Sequence, residues 1–274
     1  MKAPLADPVL RARVYALFDV VWPGMARAIE IASRVTTPWH ELSTAFVALD
    51  GDRVVAHAGL LECPMVIDGE RTVVDGIHAV CTHPDFRGRG LASRLLDEAL
   101  AHARHATALL TTERHALYER HGFRVVRESR FALPAPRERA APMRRLTLDD
   151  APLVARLYRS RAPVSRVLAT ADPGWLPITD ELLAHKDFVR FHYAADLDAL
   201  AAFELHDRTL YLLDATAPLD AILPRVPAGF DRAVTAFPVD GAEVSPAPAG
   251  DWLMARGPLA VEGRPIGLPP LARW

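Results

Sequence analysis

The first half of the chain contains short apolar segments separated by turn sequences, a pattern that is typical of β-strands. Five segments have this character: 44–49, 53–61, 65–67, 72–74 and 75–82. Asp50-Gly51-Asp52 lies between segments 44–49 and 53–61, and Asp68-Gly69-Glu70 lies between segments 65–67 and 72–74. Because glycine and aspartate favour tight turns, each pair predicts a hairpin.

Helical spacing replaces this pattern at both ends of the strand region. Residues 12–31 have apolar positions at helical spacing, and Pro23-Gly24 interrupts them, so they predict two short helices. One apolar face continues along a later helix through Leu91, Leu95, Leu96, Ala99, Leu100 and Ala103. A strand at 108–112, a short helix at 115–120 and a final strand or pair at 124–133 follow. This order predicts a mixed α/β domain.

A proline-rich stretch marks a break in composition after this domain. The sequence from Pro134 to Pro142 suits an extended connector, because proline fixes φ and cannot continue a helix or a central strand. We therefore predict four parts, with these bounds: a first domain at 1–133, a linker at 134–142, a second, smaller domain at 143–257 and a tail at 258–274.

The second domain shows a related order of elements. Arg144-Arg145-Leu146 predicts a strand, and Asp149 fits the cap of a helix at 151–161. Further strand-like runs follow at 188–193, 199–205, 209–213, 233–237 and 252–256. The order of strand, helix and hairpin strands echoes the first domain and is a weak sign of duplication. Residues 238–250 predict a long loop.

Composition narrows the class of protein. Half of the residues are hydrophobic, and 32 basic residues nearly balance 34 acidic ones, which argues against a nucleic-acid or polybasic membrane partner. The two cysteines, Cys63 and Cys81, are too few for a disulfide scaffold. No apolar run reaches the ~18 residues of a membrane-spanning helix, and the N-terminus does not resemble a signal peptide. We expect a cytoplasmic protein.

The most informative segment runs from Val80 to Ser93, where a strand leads into a glycine-rich turn that opens a helix. Unsatisfied N–H groups and the positive end of the helix dipole lie at such a helix start. Gly88 and Gly90 allow a phosphate to approach this backbone closely, and Arg87 and Arg89 add positive charge. The segment predicts a pyrophosphate site, although glycine and arginine also occur in ordinary exposed turns.

Two motifs together resemble a known family. Arg87-Gly88-Arg89-Gly90-Leu91-Ala92 matches the [Q/R]-x-x-G-x-[G/A] motif of the GCN5-related N-acetyltransferases (GNAT superfamily). Ala116-Leu117-Tyr118-Glu119-Arg120-His121-Gly122-Phe123 is similar to that family's ALYE-x-x-GF segment, and it follows the expected strand. The resemblance is firm over residues 44–133. It implies a mixed central sheet flanked by helices, followed here by a degenerate second domain of the same kind.

The resemblance also implies roles for particular residues. The strand residues Val80, Cys81 and Thr82 would pair with the pantetheine arm of acetyl-CoA. The pyrophosphate would lie on the turn and helix start, formed by Arg87, Gly88, Arg89, Gly90, Leu91, Ala92 and Ser93. Tyr118 would protonate the departing thiolate, since a phenol with a pKa of ~10 keeps its proton at neutral pH.

The general base is less clearly indicated. An amine acceptor must lose a proton before it attacks, and His78 lies on the strand that leads to the turn. The arylalkylamine N-acetyltransferases use a histidine at the matching position. The alternative is a strand histidine held by a hydrogen bond. Asp75, Glu113 and a chain of water molecules are further alternatives.

Other residues have ordinary structural interpretations beside the functional ones. Cys81 as an acyl-accepting nucleophile is disfavoured, because a cysteine within a strand is usually a small buried residue. His102 and His105 lack a third ligand, so no metal is expected. Three aromatic residues could line an acceptor pocket or pack in the core: Trp22, Trp39 and Phe46.

The predicted function is an acetyl-CoA-dependent N-acetyltransferase that acts on the primary amine of a small molecule. Two alternatives remain: a protein or peptide acceptor, and a sensor that binds acyl-CoA without turnover. The second domain lacks both motifs, so it is expected to have lost any cofactor site. It would then shape the acceptor cleft or the interface of a homodimer.

Overall fold

The structure is a computed structural model, and it describes residues 2–3, 5–171 and 175–268. Residues 269–274 of the predicted tail lie outside this part. The strands are β1 (Lys2–Ala3), β2 (Ser43–Asp50), β3 (Arg53–Ile67), β4 (Glu70–Thr82), β5 (Ala108–Thr112), β6 (Arg124–Val125), β7 (Ser129–Pro134), β8 (Arg144–Arg145), β9 (Leu168–Thr170), β10 (Phe191–Ala194), β11 (Ala199–His206), β12 (Thr209–Ala215), β13 (Arg232–Thr235), β14 (Glu243–Pro246) and β15 (Trp252–Arg256).

The helices pack on the faces of two sheets. They are α1 (Pro8–Val21), α2 (Met25–Val35), α3 (Trp39–Leu42), α4 (Leu91–Ala101), α5 (His115–Glu119), α6 (Ala151–Ser160), α7 (Trp175–His185) and α8 (Leu219–Ile222). None of the helices in the described ranges combines the length and apolarity that a membrane span requires. The predicted α/β fold with mixed sheets is confirmed.

Both sheets have the same topology. The first has the strand order β1-β2-β3-β4-β5-β15-β6, and β9 adds to the far end of β3. The second has the order β8-β10-β11-β12-β13-β7-β14. In each sheet the fourth and fifth strands are parallel, and the other neighbouring pairs among the described strands are antiparallel. This shared pattern supports the duplication that the sequence indicated.

The two sheets exchange one strand. β15 inserts between β5 and β6 of the first sheet, while β7 crosses into the second sheet between β13 and β14. Trp252–Arg256, which the prediction placed in the second domain, thus pairs within the first sheet, and Ser129–Leu133, which it placed in the first domain, pairs within the second sheet. An apolar strand pattern shows that a segment is buried, but it does not show which sheet supplies its partners.

The break between α1 and α2 has a local cause. Trp22 ends α1, and Gly24 adopts the left-handed conformation with a φ of 92° before α2 begins. A carboxylate oxygen of Asp19 accepts a hydrogen bond from the Ala26 N–H at 2.9 Å and so satisfies a donor in the first turn of α2. This hydrogen bond thereby joins the end of α1 to the start of α2 across the corner that carries Trp22.

Strand exchange makes the first domain dependent on the C-terminal part of the chain. Leu253, Met254 and Ala255 are fully buried in the first sheet. A fragment of residues 1–142 would leave β5 and β6 without their shared partner, so we expect it to aggregate or to lack cooperative unfolding. Thermal melts followed by circular dichroism would measure this.

The matched control restores only the strand. Because β6 and β15 are antiparallel neighbours, a short Gly/Ser linker can join residue 127 to residue 251 in a fragment that ends at residue 257, just after β15. Both fragments lack the contacts of the second sheet, so the difference between them reports on β15. Equal folding of the two fragments would show that the inserted strand is dispensable.

Candidate active site

A cleft opens in the first sheet where its two parallel strands separate. β4 and β5 pair only at Asp75 with Ala108 and at Gly76 with Leu109. Beyond this point β4 contains a bulge, in which Ala79 and Val80 lie opposite one residue of β3. Ala79 has a φ of 48°, a left-handed conformation that is uncommon for a residue with a side chain. The bulge turns β4 away from β5 and leaves a gap between them.

A buried histidine holds this bulge. Nδ1 of His57 donates a hydrogen bond to the Ala79 carbonyl at 2.8 Å, and the ring is fully buried. Burial lowers the pKa of His57 to about 4, so the ring is neutral at neutral pH. Nε2 of His57 is buried and has no hydrogen-bond partner among the described residues. The ring therefore acts as a neutral donor that fixes a strained carbonyl.

The cleft has a volume of about 730 Å³. Tyr118 and all ten predicted cofactor residues line it: Val80, Cys81, Thr82, Arg87, Gly88, Arg89, Gly90, Leu91, Ala92 and Ser93. The structure thus brings the glycine-rich turn and the tyrosine segment to the same cavity. Whether these residues bind a cofactor stays a prediction.

The glycine-rich turn presents its backbone to open space. Gly88 and Gly90 have φ values of 77° and 72°, and a Cβ at either position would meet no atom within 4 Å. Gly90 is the N-cap of α4, and no side chain among the described residues caps this end of the helix. The first N–H groups of α4 are therefore available to an anion in the cleft.

The two arginines of the turn are held by neighbouring backbone and aromatic groups. Nε of Arg87 donates to the Thr82 carbonyl at 3.4 Å. The Arg89 guanidinium donates to the Asp85 carbonyl at 3.2 Å and lies 4.6 Å from the centre of the Phe86 ring. Both guanidinium groups thus add positive charge beside the uncapped helix end.

Tyr118 is buried at the edge of the cleft, with 7% of its surface exposed. Burial raises the pKa of Tyr118 to about 12, and a hydrogen bond with the Thr112 side chain opposes the rise. Tyr118 also packs edge-on against Phe123, with ring centres 6.2 Å apart. The phenol is therefore a fixed, protonated group at neutral pH.

His78 lies away from the cleft and is not among the described residues that line it. Its Nε2 is 2.8 Å from Oγ of Ser43, and its ring packs edge-on against Trp39. Burial, followed by the nearby His57, lowers the pKa of His78 to about 3. This placement does not fit the predicted general base, which has to reach the acceptor amine. It fits the alternative of a strand histidine held by hydrogen bonding.

The two carboxylates named as alternative bases occupy different places. Asp75 is 1% exposed and accepts hydrogen bonds from the backbone N–H groups of Arg104 and His105, at 3.0 and 2.7 Å. It therefore orders the connection between α4 and β5. Glu113 is exposed and lines the cleft just after β5.

Cys81 also lines the cleft, but its chemistry does not favour attack on an acyl group. Burial raises the pKa of the Cys81 thiol to about 12, so the reactive thiolate is scarce at neutral pH. His102 packs against Phe46, and its Nδ1 donates to the Glu98 carbonyl at 2.8 Å. Within the described ranges, no group of three or more potential ligands could hold a metal ion.

The aromatic candidates divide between cleft and core. Trp22 lines the cleft, whereas Trp39 and Phe46 are buried in the packing on either side of the first sheet. Sequence reasoning missed several other lining residues: Val21, Phe86, Thr112, Arg114, Leu117 and Arg120. All of these except Val21 lie within or close to one of the two motifs. That position in the sequence could have indicated that they line the cleft.

The matching region of the second sheet is built differently. β12 and β13 stay paired over four positions, from Thr209 with Arg232 to Leu212 with Thr235. The helix after β12 is the four-residue α8, in place of the 11-residue α4. The connection from Thr216 to Asp231 contains a single glycine, Gly229, which lies after α8, so no glycine-rich turn precedes this helix.

Comparisons with known proteins agree with this geometry. Residues 11–126 match the family model of the acetyltransferase (GNAT) domain. A probable N-acyltransferase from Enterococcus faecalis V583 has a similar fold, with 13% identity, a TM-score of 0.56 and coverage of 95% of this chain and 72% of that one. Among curated proteins, none matches the sequence significantly.

Two further solved structures share the fold. A GCN5-related N-acetyltransferase from Kribbella flavida is 18% identical, with a TM-score of 0.55 and coverage of 94% of this chain and 71% of that one. Eis1 from Mycobacterium abscessus is 18% identical, with a TM-score of 0.52 and coverage of 86% and 72%. These likenesses extend across both sheets and concern the fold.

Proposed function

We propose that this chain, whose residues 11–126 match the acetyltransferase (GNAT) domain, transfers an acetyl group from acetyl-CoA to a primary amine of a small molecule. One observation carries this proposal: the uncapped start of α4 and the buried phenol of Tyr118 line a single cleft. The free N–H groups at the start of α4 can bind the phosphates of an acyl donor, and the Tyr118 phenol can give a proton to the leaving thiolate.

The residues present fit acetyl-CoA at the glycine-rich turn. The open space beside Gly88 and Gly90 admits a phosphate to the backbone, and Arg87 and Arg89 supply positive charge nearby. The exposed edge of β4 at Val80 to Thr82 offers backbone groups to the pantetheine arm. When bound, acetyl-CoA supplies an acyl group activated as a thioester.

Tyr118 would act as the general acid. As the acceptor nitrogen attacks the acyl carbon and the carbon–sulfur bond breaks, the phenol gives its proton to the departing sulfur. The acceptor nitrogen forms the new amide bond and loses one proton to solvent or to a base in the cleft. The raised pKa of Tyr118 keeps the phenol protonated over the whole neutral range, so the acid form is always available.

The acceptor would reach the cleft from the side of α1 and α2. Leu109 and Cys81 pack in the cluster on that side of the sheet, whereas Leu110 and Tyr118 pack in the cluster beside α4. Trp22 belongs to the first side and also lines the cleft, so residues from both faces of the sheet line the cavity. The cavity volume lies within the range of small-molecule pockets, about 300–1,000 Å³.

Glu113 is the only acidic residue among the described residues that line the cleft. The alternation of β5 directs Leu109 and Thr111 to the α1 and α2 side, and Glu113 continues this spacing. We therefore infer that its carboxylate attracts the protonated amine. Glu113 could then take the amine's proton directly or through water.

The experiment measures free thiol released from acetyl-CoA with a panel of small primary amines and with peptides. We expect release that depends on a small amine. In Glu113→Gln, KM for the amine should rise roughly 10-fold, which is the loss of about 1.5 kcal/mol for a hydrogen bond to a charged group. KM for acetyl-CoA should not change, and Glu70→Gln at the exposed start of β4 is the control.

Other outcomes would replace the proposal. Release with peptides alone would indicate a protein acceptor. Binding of acetyl-CoA without thiol release, with every amine and peptide in the panel, would indicate a sensor. An unchanged KM for the amine in Glu113→Gln would remove Glu113 from the acceptor site.

A further inference from the structure

We propose that Trp252, on the exchanged strand β15, is a positioning residue that holds the Tyr118 segment in its active geometry. This inference rests on the function proposed above and assigns a role in it to the C-terminal part of the chain. Trp252 follows Tyr118 by more than a hundred residues and reaches the site through the pairing of β15 with β5.

The segment that carries Tyr118 has little stability of its own. α5 spans only five residues, His115–Glu119, and its N-cap residue Arg114 makes no side-chain capping bond. An isolated helix this short is not stable in water, because its few hydrogen bonds do not offset the cost of nucleation. The position of Tyr118 therefore depends on what packs around α5.

β15 fixes the segment at both of its ends. β5, which precedes α5, pairs Thr112 with Trp252, and β6, which follows α5, pairs Val125 with Met254. Arg124 strengthens the second attachment, because its Nη1 donates to the Ala255 and Gly257 carbonyls at 3.3 and 2.8 Å. Both strands that flank α5 thus take their position from one strand.

Trp252 connects this attachment to Tyr118 by two contacts. Its cross-strand partner Thr112 forms the side-chain hydrogen bond with Tyr118. Its indole packs edge-on against His115, the first residue of α5, with ring centres 5.9 Å apart and an interplanar angle of 79°. Trp252 and Tyr118 also belong to the same hydrophobic cluster. Removing the indole should free the start of α5 and the Thr112 contact together.

The test compares steady-state kinetics of Trp252→Ala, Trp252→Leu and Trp252→Phe in the full chain. We expect kcat to fall about 10-fold or more in the Ala and Leu variants, since small misplacements of a catalytic group carry such costs. KM for acetyl-CoA should change less than about 2-fold, because the glycine-rich turn is not attached to β15. Trp252→Phe keeps an aromatic ring and should recover most of the activity.

Each variant is also made in a Tyr118→Phe background. If Trp252 acts through the phenol, its replacement should lower kcat by less than about 2-fold once the phenol is gone. Tyr193→Leu, which removes a half-buried aromatic ring from β10 of the second sheet, is the control and should retain wild-type kcat. Thermal melts confirm folding, and Trp252→Leu provides the test if Trp252→Ala is unstable.

Three results would overturn the inference while leaving the proposed function intact: unchanged kcat in Trp252→Leu, an equal loss in both backgrounds, or a loss that appears in KM for acetyl-CoA instead of kcat. Failure of the proposed function would instead appear as absence of thiol release by the wild type. In that case calorimetric binding of acetyl-CoA to the wild type still reports separately on the cleft.

Discussion

Replacing Tyr118 by phenylalanine is expected to lower kcat by about 100-fold or more, the usual contribution of a positioned general acid. The phenol oxygen is removed while the ring, its burial and its edge-on contact with Phe123 are kept. KM for acetyl-CoA should stay near the wild-type value, because the N–H groups at the start of α4 are unaffected. Steady-state thiol release measures both parameters.

The dependence of this activity on pH follows from the phenol. Burial raises the pKa of Tyr118 to about 12, so the acid form is complete below this value and is lost only above it. Wild-type kcat/KM should therefore rise with pH as the amine loses its proton, and it should not fall between pH ~7 and ~10. Tyr211→Phe, an exposed tyrosine of β12, is the control. Wild-type kcat in Tyr118→Phe would show that another group protonates the sulfur.

The second large effect is expected at the start of α4. Gly90→Glu should weaken acetyl-CoA binding at least about 100-fold, or nearly 3 kcal/mol. The new carboxylate would lie beside the N–H groups that we assign to the pyrophosphate and would repel it. Calorimetric titration measures the loss.

Gly90→Glu introduces both a negative charge and backbone strain at a positive φ. A matched variant separates these two effects. Gly51 also has a positive φ, 55°, and also faces open space, but it lies in the turn between β2 and β3. Gly51→Glu should therefore carry a similar strain and bind acetyl-CoA normally. Equal binding by Gly90→Glu and the wild type would place the phosphates elsewhere.

The parts of the site that depend on local sequence could be predicted. The turn around Gly88 and Gly90 and the segment around Tyr118 are short and continuous in sequence, so each can be recognised from a few residues. Their resemblance to the two GNAT motifs, in the expected order along the chain, implied that they serve one site. The structure places both in its lining.

The parts that depend on distant pairing could not be predicted. β15 and β7 have ordinary strand sequences, and their exchange between sheets is decided by partners more than a hundred residues away. The segments predicted at 53–61 and 65–67 are likewise one strand, β3, because both pair continuously with β4. Local apolar patterns carry no information on such pairing.

For a similar reason, the position of His78 in the sequence did not show where its side chain lies relative to the cleft. Proximity in sequence to the glycine-rich turn indicated the cleft, but the bulge at Ala79 separates His78 from the residues that line it. His57, which holds that bulge through its Nδ1, lies on the neighbouring strand and has no motif around it. Only the register of β3 and β4 brings the two histidines and the bulge together.

We propose that the cleft between β4 and β5 binds an acyl-CoA, and titration of the wild-type chain with acetyl-CoA in a calorimeter measures this binding. We expect micromolar binding of one molecule per chain, with free CoA competing for the same site. A folded wild-type chain that shows no heat of binding and no thermal stabilisation by acetyl-CoA would contradict it.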